Sequence, residues 1–128
     1  MTKDAIYVQY PTADSSQSVR AAAITKSVVN ASNGVSVKNA FANKNNSLLV
    51  CVENNGESDS YLTFCAGNAY PNAMLGDLQQ ALASGTTTVF QIQDPSRFEN
   101  KDGSLDIDFA AAFDGKIFVI AKSTALNA

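Results

Sequence analysis

Residues 86–121 read TTTVFQIQDPSRFENKDGSLDIDFAAAFDGKIFVIA, and this stretch decides the fold class. Apolar and polar side chains alternate in its first run, residues 88–93, and again in its second run, residues 104–109. A period of two is typical of strands with one buried face. The third run, residues 117–121, is apolar without alternation, which predicts a strand in the middle of a sheet with both faces covered.

The first two runs are separated by the segment Asp94-Pro95-Ser96-Arg97-Phe98. An Asp followed by Pro predicts the start of a short helical turn, because the carboxylate can cap exposed amides and Pro lacks an amide that would go unpaired. We expect Phe98 to plug the end of the fold and Arg97 to pair with a nearby acid. The alternative is a contact with a partner, since Arg and aromatic residues are enriched at interfaces.

The rest of the chain also reads as strands separated by turn residues. Residues 48–52 and 61–66 predict a β-hairpin, and residues 78–83 and 86–92 predict a second one. Residues 19–29 are ambiguous, because three alanines favour a helix and the β-branched residues favour a strand; we prefer the strand.

The predicted fold is all-β: a single-domain antiparallel β-sandwich of about eight strands, with a short helical turn near Asp94-Phe98. The sandwich would comprise residues 19–128, which is long enough to bury a core without metals or disulfides. Residues 1–18 would form an N-terminal strand or arm that pairs within the domain or interacts with a neighbour.

The chain carries nine basic and twelve acidic residues, a net charge of −3, but the two signs are unevenly placed. Residues 1–50 have a net charge of +3 and residues 51–128 a net charge of −6. The imbalance is either chance or a sign that the basic part faces an acidic protein surface. Lys and Arg form no cluster interleaved with aromatics, which argues against nucleic acid as a partner.

Hydrophobic stretches are short throughout the sequence. No apolar run approaches the roughly 18 to 20 residues of a membrane span, and the N-terminal residues lack the apolar stretch of a signal peptide. We therefore expect a soluble chain that is made in a cytoplasm and has no membrane partner.

The sequence contains no histidine. This removes the commonest general base and the commonest nitrogen ligand of zinc, so we expect no enzymatic activity, no cofactor and no metal site. Asp102, Asp106 and Asp108 resemble a calcium loop, but the EF-hand spacing needs an acid where Phe98 stands. Asp106 and Asp108 are instead expected on the solvent face of a strand.

Two cysteines, Cys51 and Cys65, lie in the strands of the first predicted hairpin. One register keeps them too far apart to bond, and a register three residues different would place them side by side. Free thiols are the preferred expectation in a cytoplasmic protein, and a disulfide is the alternative. A reactive nucleophile is least favoured, because no base is available.

Aromatic and basic side chains supply the candidate partner contacts. They are Tyr7, Tyr10, Arg20, Tyr70 and Arg97. The loop GNAYPN, residues 67–72, also suggests a glycan-binding loop with Tyr70 as a stacking platform. The absence of tryptophan and the small number of tyrosines argue against that function, because sugar sites depend on aromatic faces.

Three segments carry a resemblance to known proteins: NSLLVCVENN at residues 46–55, the long stretch at residues 66–109, and GKIFVIAK at residues 115–122. Within the long stretch, AYPNAMLGDL and QDPSRFENKDGSL are the most specific parts. Over roughly residues 46–122 the chain resembles small structural proteins of tailed-bacteriophage virions, particularly the auxiliary proteins that decorate or cement the capsid.

The resemblance implies a non-enzymatic protein on the outer surface of the virion. It would bind the major capsid protein lattice and stabilise the head, and it would also contact further copies of itself if, as in many such proteins, it is a homotrimer. No catalytic residue is carried over. A tail, baseplate or head-fibre component is the closest alternative, and a glycan-binding β-sandwich module is the alternative from a different class.

Overall fold

The computed structural model describes residues 2–13, 20–41 and 48–121, and its regular structure is almost entirely β. In chain order the strands are β1 (Asp4–Gln9), β2 (Thr12–Ala13), β3 (Arg20–Ala21), β4 (Ser27–Val28), β5 (Val35–Lys38), β6 (Leu48–Asn54), β7 (Ser60–Phe64), β8 (Leu78–Leu82), β9 (Thr87–Gln91), β10 (Leu105–Phe109) and β11 (Gly115–Ala121). Two helical elements interrupt them, a 3-10 turn at Pro71–Leu75 and a one-turn helix, α1, at Pro95–Phe98. The all-β fold and the helical turn after Asp94 are confirmed.

The main strands form one nearly closed sheet in the order β8-β7-β10-β5-β1-β11-β6-β9, and β4 pairs with β11 beside this path. β1 connects the two halves, because residues 4–7 pair with β5 and residues 8–9 pair with β11. The halves face each other across a single core. Phe64 on β7 contacts Phe90 on β9, with ring centroids 5.4 Å apart.

β1 is the exception to the predicted antiparallel arrangement. It runs parallel to both β5 and β11, while the other ladders in the described residues are antiparallel. Parallel neighbours need long connections, and β1 is far from both partners along the chain. Residues 4–9 of the expected N-terminal arm therefore lie inside this chain's own sheet. The expected boundary at residue 18 falls within residues 14–19, outside the described part.

Both predicted hairpins are wrong. β6 pairs with β11 and β9, and β7 pairs with β10 and β8, so the loop between β6 and β7 crosses from one half of the sheet to the other. The short connection from β8 to β9 makes the same crossing. Strands adjacent in sequence often pair. Here they face each other across the core instead, and each buries its apolar face against the opposite half.

Asn54, at the end of β6, forms hydrogen bonds that stabilise the two connections between the halves of the sheet. Its side chain is buried, with 2% exposure. The amide nitrogen donates to the backbone oxygens of Ser58 at 3.1 Å and Leu82 at 3.0 Å, and the amide oxygen accepts from the backbone of Gly56 at 3.0 Å. One side chain thus joins the end of β6 to the end of β8 in the opposite half.

The predicted alternation of faces is confirmed in β9 and β10. Leu105, Ile107 and Phe109 are buried, while Asp108 is exposed. β11 lies mid-sheet as predicted, between β1 and β6. Its residues alternate between buried and more accessible positions, so its outer face is only partly covered.

The strand predicted over residues 19–29 is reduced to the two-residue strands β3 and β4, and residue 19 lies outside the described part. Residues 21–26 are exposed, so they bury little apolar surface against the core. This segment is held by a side chain instead. The amide of Gln9 donates to the backbone oxygen of Thr25 at 2.7 Å and accepts from its backbone nitrogen at 2.8 Å.

The two cysteines are free thiols, as preferred from the sequence. Cys51 lies in β6 and Cys65 follows β7, in opposite halves of the sheet. The register that would have placed them side by side does not occur, because β6 and β7 do not pair.

Candidate interaction surfaces

The sheet is open along one side, because the strands at its two ends, β8 and β9, do not pair with each other. We call this opening the seam. A groove of about 430 Å³ lies there, lined by both apolar and polar side chains. Its apolar lining consists of Phe64, Leu78, Val89, Phe90, Ile92 and Phe98. Phe98 is 5% exposed and packs against Phe64, with ring centroids 5.8 Å apart, which confirms its predicted role as a plug.

The 3-10 turn presents two large apolar side chains to solvent. Met74 is 91% exposed and Leu75 is 64% exposed, and we call this pair the apolar knob. The surrounding sequence is nearly uncharged, since residues 60–93 contain Asp77 as their single charged residue. Three further exposed hydrophobics belong to the same stretch: Tyr61, Tyr70 and Val89. Adjacent exposed apolar groups in uncharged surroundings are typical of an interaction site.

Arg97 of α1 holds the end of the turn that carries the knob. Its guanidinium donates to the backbone oxygens of Gly76 at 3.0 Å, Asp77 at 3.3 Å and Leu75 at 3.4 Å. The prediction that Arg97 pairs with an acid is therefore wrong. Three carbonyl groups at the end of a 3-10 turn need donors, and the planar fork of an arginine can reach all of them.

A second set of contacts fixes the start of the same loop. The backbone nitrogen of Gly67 donates to the carbonyl oxygen of Arg97 at 3.0 Å. The backbone nitrogens of Asn68 and Ala69 donate to the carbonyl oxygen of Glu99 at 3.2 and 3.1 Å. A Cβ on Gly67 would lie 2.1 Å from that oxygen. Glycine is required at residue 67 because its backbone lies in contact with the backbone of Phe98 and Glu99. The start of the loop therefore packs directly against the end of α1.

The cap predicted for α1 has a different form. Asp94 is the N-terminal cap residue, but its carboxylate makes no hydrogen bond to a helix amide. It accepts instead from the Ser96 hydroxyl at 2.6 Å, and Ser96 accepts from the side-chain amide of Asn72 at 2.6 Å. This short chain of polar groups links α1 directly to the 3-10 turn.

A polar cleft of about 380 Å³ lies elsewhere, on the outer face of the half formed by β5 and β10. It is lined by Ser36, Lys38, Asn68, Asn100, Lys101, Asp102, Ser104 and Asp106. The Ser104 hydroxyl donates to Asp102 at 2.6 Å, and this hydrogen bond holds the pKa of the Asp102 carboxyl below its usual value. Tyr7 is 64% exposed and is the strand partner of Lys38, one of the residues that line the cleft.

Cys65, Asp108 and Lys3 form a small cluster on the same outer face. Lys3 and Asp108 form an ion pair, and the thiol of Cys65 donates to Asp108 at 3.4 Å. Burial raises the pKa of the Cys65 thiol to about 12, and the negative charge of Asp108 adds to the effect. The thiolate, which is the nucleophilic form, is thereby disfavoured.

The structure separates the five candidate contact residues. Tyr70 directly precedes the 3-10 turn and Arg97 binds its end, so these two belong to one site. Tyr7 borders the polar cleft, and Tyr10 is half-buried against the core. Arg20 begins β3, where it pairs with β2.

The knob itself was not predicted from the sequence. Met74 and Leu75 belong to no alternating pattern and lie between the strands predicted at residues 61–66 and 78–83. That lack of a pattern was the available signal. Two large apolar residues between Pro71 and Gly76, within a loop, have no strand or helix face on which to be buried.

Within the part of the chain that the structure describes, no group of three or more Cys, Asp or Glu side chains is placed to hold a metal ion. Neither helical element in residues 2–13, 20–41 and 48–121 is long and apolar enough to cross a membrane.

Comparison of the chain with models of protein families, with curated proteins and with solved structures gave no match.

Proposed function

We propose that this chain is a non-enzymatic structural protein that docks on the outer surface of a tailed-phage capsid, binds the major capsid protein and stabilises the shell. The observation that carries the proposal is the apolar knob, which is exposed yet held by Arg97 and Gly67. The resemblance of residues 46–122 to phage decoration proteins supplies the identity of the assembly.

A rigid knob suits a protein that has to bind a repeating surface. Met is enriched at protein interfaces, and a side chain on an ordered turn loses little backbone freedom when it docks. The nearly closed sheet behind it supplies a stiff body that can transmit load. A flexible loop with the same residues would bind more weakly, because ordering it would oppose association.

The chemistry of the described side chains also favours a non-enzymatic role. The chain has no histidine, and the Cys65 thiol is held protonated at neutral pH. A virion protein needs neither a base nor a nucleophile. The proposal places synthesis in the host cytoplasm and the mature protein on the outside of the head. A tail, baseplate or head-fibre location is the alternative within the same class.

Binding to capsids tests the proposal. Heads of the cognate phage, assembled without this chain, would be mixed with the purified protein, and undecorated heads would be compared with full virions. We expect saturable binding in a fixed ratio to the major capsid protein and a higher temperature of DNA release. An absence of binding would contradict the capsid assignment and favour the tail.

Glycan binding is a second candidate function, and the polar cleft is the observation that favours it. The cleft combines amide, hydroxyl and carboxylate groups, and the exposed Tyr7 is the strand partner of its Lys38. Sugars bind through hydrogen bonds to such groups and by stacking on an aromatic face. Retention on a glycan array that is lost in Tyr7→Ala would support this function, and a blank array would exclude it for the glycans displayed.

A further inference from the structure

Asparagine is followed by glycine at two places in the chain, Asn33-Gly34 and Asn55-Gly56. Such a step is prone to spontaneous deamidation, because glycine has no Cβ to shield its backbone nitrogen. That nitrogen loses its proton and attacks the side-chain carbonyl carbon of the asparagine; a C–N bond forms and the amide nitrogen leaves as ammonia. Water then opens the succinimide ring to aspartate or isoaspartate, so the reaction needs no enzyme and no reagent besides water.

The fold restrains both reacting groups at Asn33. Its side-chain nitrogen donates to the carboxylate of Asp4 at 3.0 Å. The backbone nitrogen of Gly34, which would be the nucleophile, is buried and donates to the carbonyl oxygen of Asn30 at 3.1 Å. Space is also short, because a Cβ on Gly34 would lie 2.8 Å from the backbone oxygen of Ile107. The ring can therefore close only after hydrogen bonds of the fold have broken.

The second step lies in the loop that crosses from β6 to β7, and its surroundings are more open. Asn55 is exposed and Gly56 is partly exposed. The atoms nearest to a Cβ on Gly56 would belong to side chains, Oδ1 of Asn54 at 3.2 Å and Cβ of Asp114 at 3.9 Å. The nucleophile is restrained by Asn54, because the backbone nitrogen of Gly56 donates to its Oδ1 at 3.0 Å.

We propose that Asn55 is a spontaneous deamidation site of the folded chain, that Asn33 is protected, and that the Asn54 side chain controls how fast Asn55 converts. The position of Asn55 gives the modification a consequence for the fold. It directly follows the residue whose hydrogen bonds join the two halves of the sheet. Isoaspartate would lengthen the main chain by one carbon at this point.

The charge of the loop adds to that consequence. Residues 53–59 contain Glu53, Glu57 and Asp59 and no basic residue. Conversion of Asn55 places a further carboxylate among these acids, and like charges repel each other. Both products should therefore weaken the connection between β6 and β7.

Peptide mapping by mass spectrometry tests the proposal on the wild-type chain, incubated in mildly alkaline buffer with and without a denaturing concentration of urea. In the folded chain we expect Asn55 to convert at least about tenfold faster than Asn33, because Asn33 must first break a hydrogen bond to a charged group. In urea the two steps should convert at similar rates.

Three results of the mapping would overturn the proposal. The first is an equal or faster conversion of Asn33 in the folded chain. The second is a preference for Asn55 that persists unchanged in urea, because the fold would then not be its cause. The third is a folded chain in which both sites stay intact while the unfolded chain converts.

Two variants test the chemistry and the role of Asn54. Gly56→Ala should fold, as circular dichroism would show, and lose detectable conversion at Asn55, because the added methyl group shields the nitrogen. Asn54→Ala should speed conversion at Asn55 by about fivefold, the effect of losing one neutral hydrogen bond. Asn33 in the same molecule is the reference, since more frequent global unfolding would speed both sites. Conversion that survives Gly56→Ala, or an unchanged ratio of the two sites in Asn54→Ala, would contradict the proposal.

Discussion

Asn54 is the residue on which the strand crossings depend most. Replacing it with Ala would remove two donated hydrogen bonds and one accepted bond, and would leave the Leu82 carbonyl without this donor. We expect Asn54→Ala to lower the free energy of unfolding by about 2–3 kcal/mol, because buried polar groups that lose their partners remain desolvated. Urea unfolding measures the change.

Asn55 provides the matched control for that substitution. It is exposed, and its backbone nitrogen donates to the Asp114 carbonyl at 2.9 Å independently of the side chain. Asn55→Ala should change stability by less than about 0.5 kcal/mol. Equal effects of the two substitutions would show that the Asn54 side chain does not fasten the crossings.

The Cys65 thiol makes the free energy of unfolding depend on pH in the alkaline range. Its pKa is raised from 9.0 to about 12 in the folded protein, so the folded state holds its proton more tightly than the unfolded chain does. The resulting stabilisation is fully present below the unfolded pKa and is lost as pH rises from about 9 toward 12. The wild-type chain should therefore lose stability over this range faster than Cys65→Ser.

The measurement is the difference in free energy of unfolding between wild type and Cys65→Ser at several pH values. Taking the difference cancels the titration of lysines and tyrosines that both proteins share. We expect it to be constant below the unfolded pKa and to shrink above it. A difference that stays constant up to about pH 11 would contradict the assigned environment of the thiol.

At the scale of elements, the 3-10 turn and α1 behave as one unit through Arg97. Arg97→Ala removes three hydrogen bonds to the carbonyls at the end of the turn, so we expect a loss of about 1–2 kcal/mol. The knob should also loosen. Hydrogen exchange of the Gly76 amide, which donates to Ala73 at 2.9 Å, should become faster.

Arg97→Lys is the graded control for this prediction. A lysine keeps the charge but cannot present the same planar fork, so it should recover only part of the protection. The Gly103 amide, bonded to Asn100 at 2.8 Å, is an internal reference that should not change. Unchanged exchange at Gly76 in Arg97→Ala would show that the turn is ordered without the arginine.

The sequence predicted where the strands lie and which faces they bury better than it predicted which strands pair with each other. Alternation assigned the faces of β9 and β10 correctly, since which residues face the core follows from the period of the strand. The Asp94-Pro95 step located α1, because Pro restricts the backbone locally. Pairing is a long-range property, and no local pattern indicated that β6 and β8 would each cross to the opposite half.

At the scale of the whole molecule, the candidate site was the least predictable part. Arg97 and Tyr70 were candidate contact residues, and the structure places both at the 3-10 turn. The ion pair expected for Arg97 was wrong, because its acceptors are backbone oxygens that no sequence pattern reveals. Met74 and Leu75 become visible as a knob only when the fold shows that no surface covers them.

The chain as a whole is organised as a stiff sheet that presents a fixed apolar knob at one side. We propose that the chain docks on the capsid through this knob. Comparison with another exposed apolar residue distinguishes specific docking from non-specific hydrophobic adsorption. Val28 is 73% exposed. It lies on β4, which pairs with β11 and not with β8, the strand that follows the knob. Val28→Asp is therefore a matched control for Met74→Asp.

The most direct measurement is the affinity of wild type, Met74→Asp and Val28→Asp for cognate phage heads assembled without the chain. We expect saturable binding by wild type and Val28→Asp, and binding at least about tenfold weaker for Met74→Asp, because it loses one well-buried interface anchor. Equal binding by Met74→Asp and wild type, or loss of binding only in Val28→Asp, would contradict it.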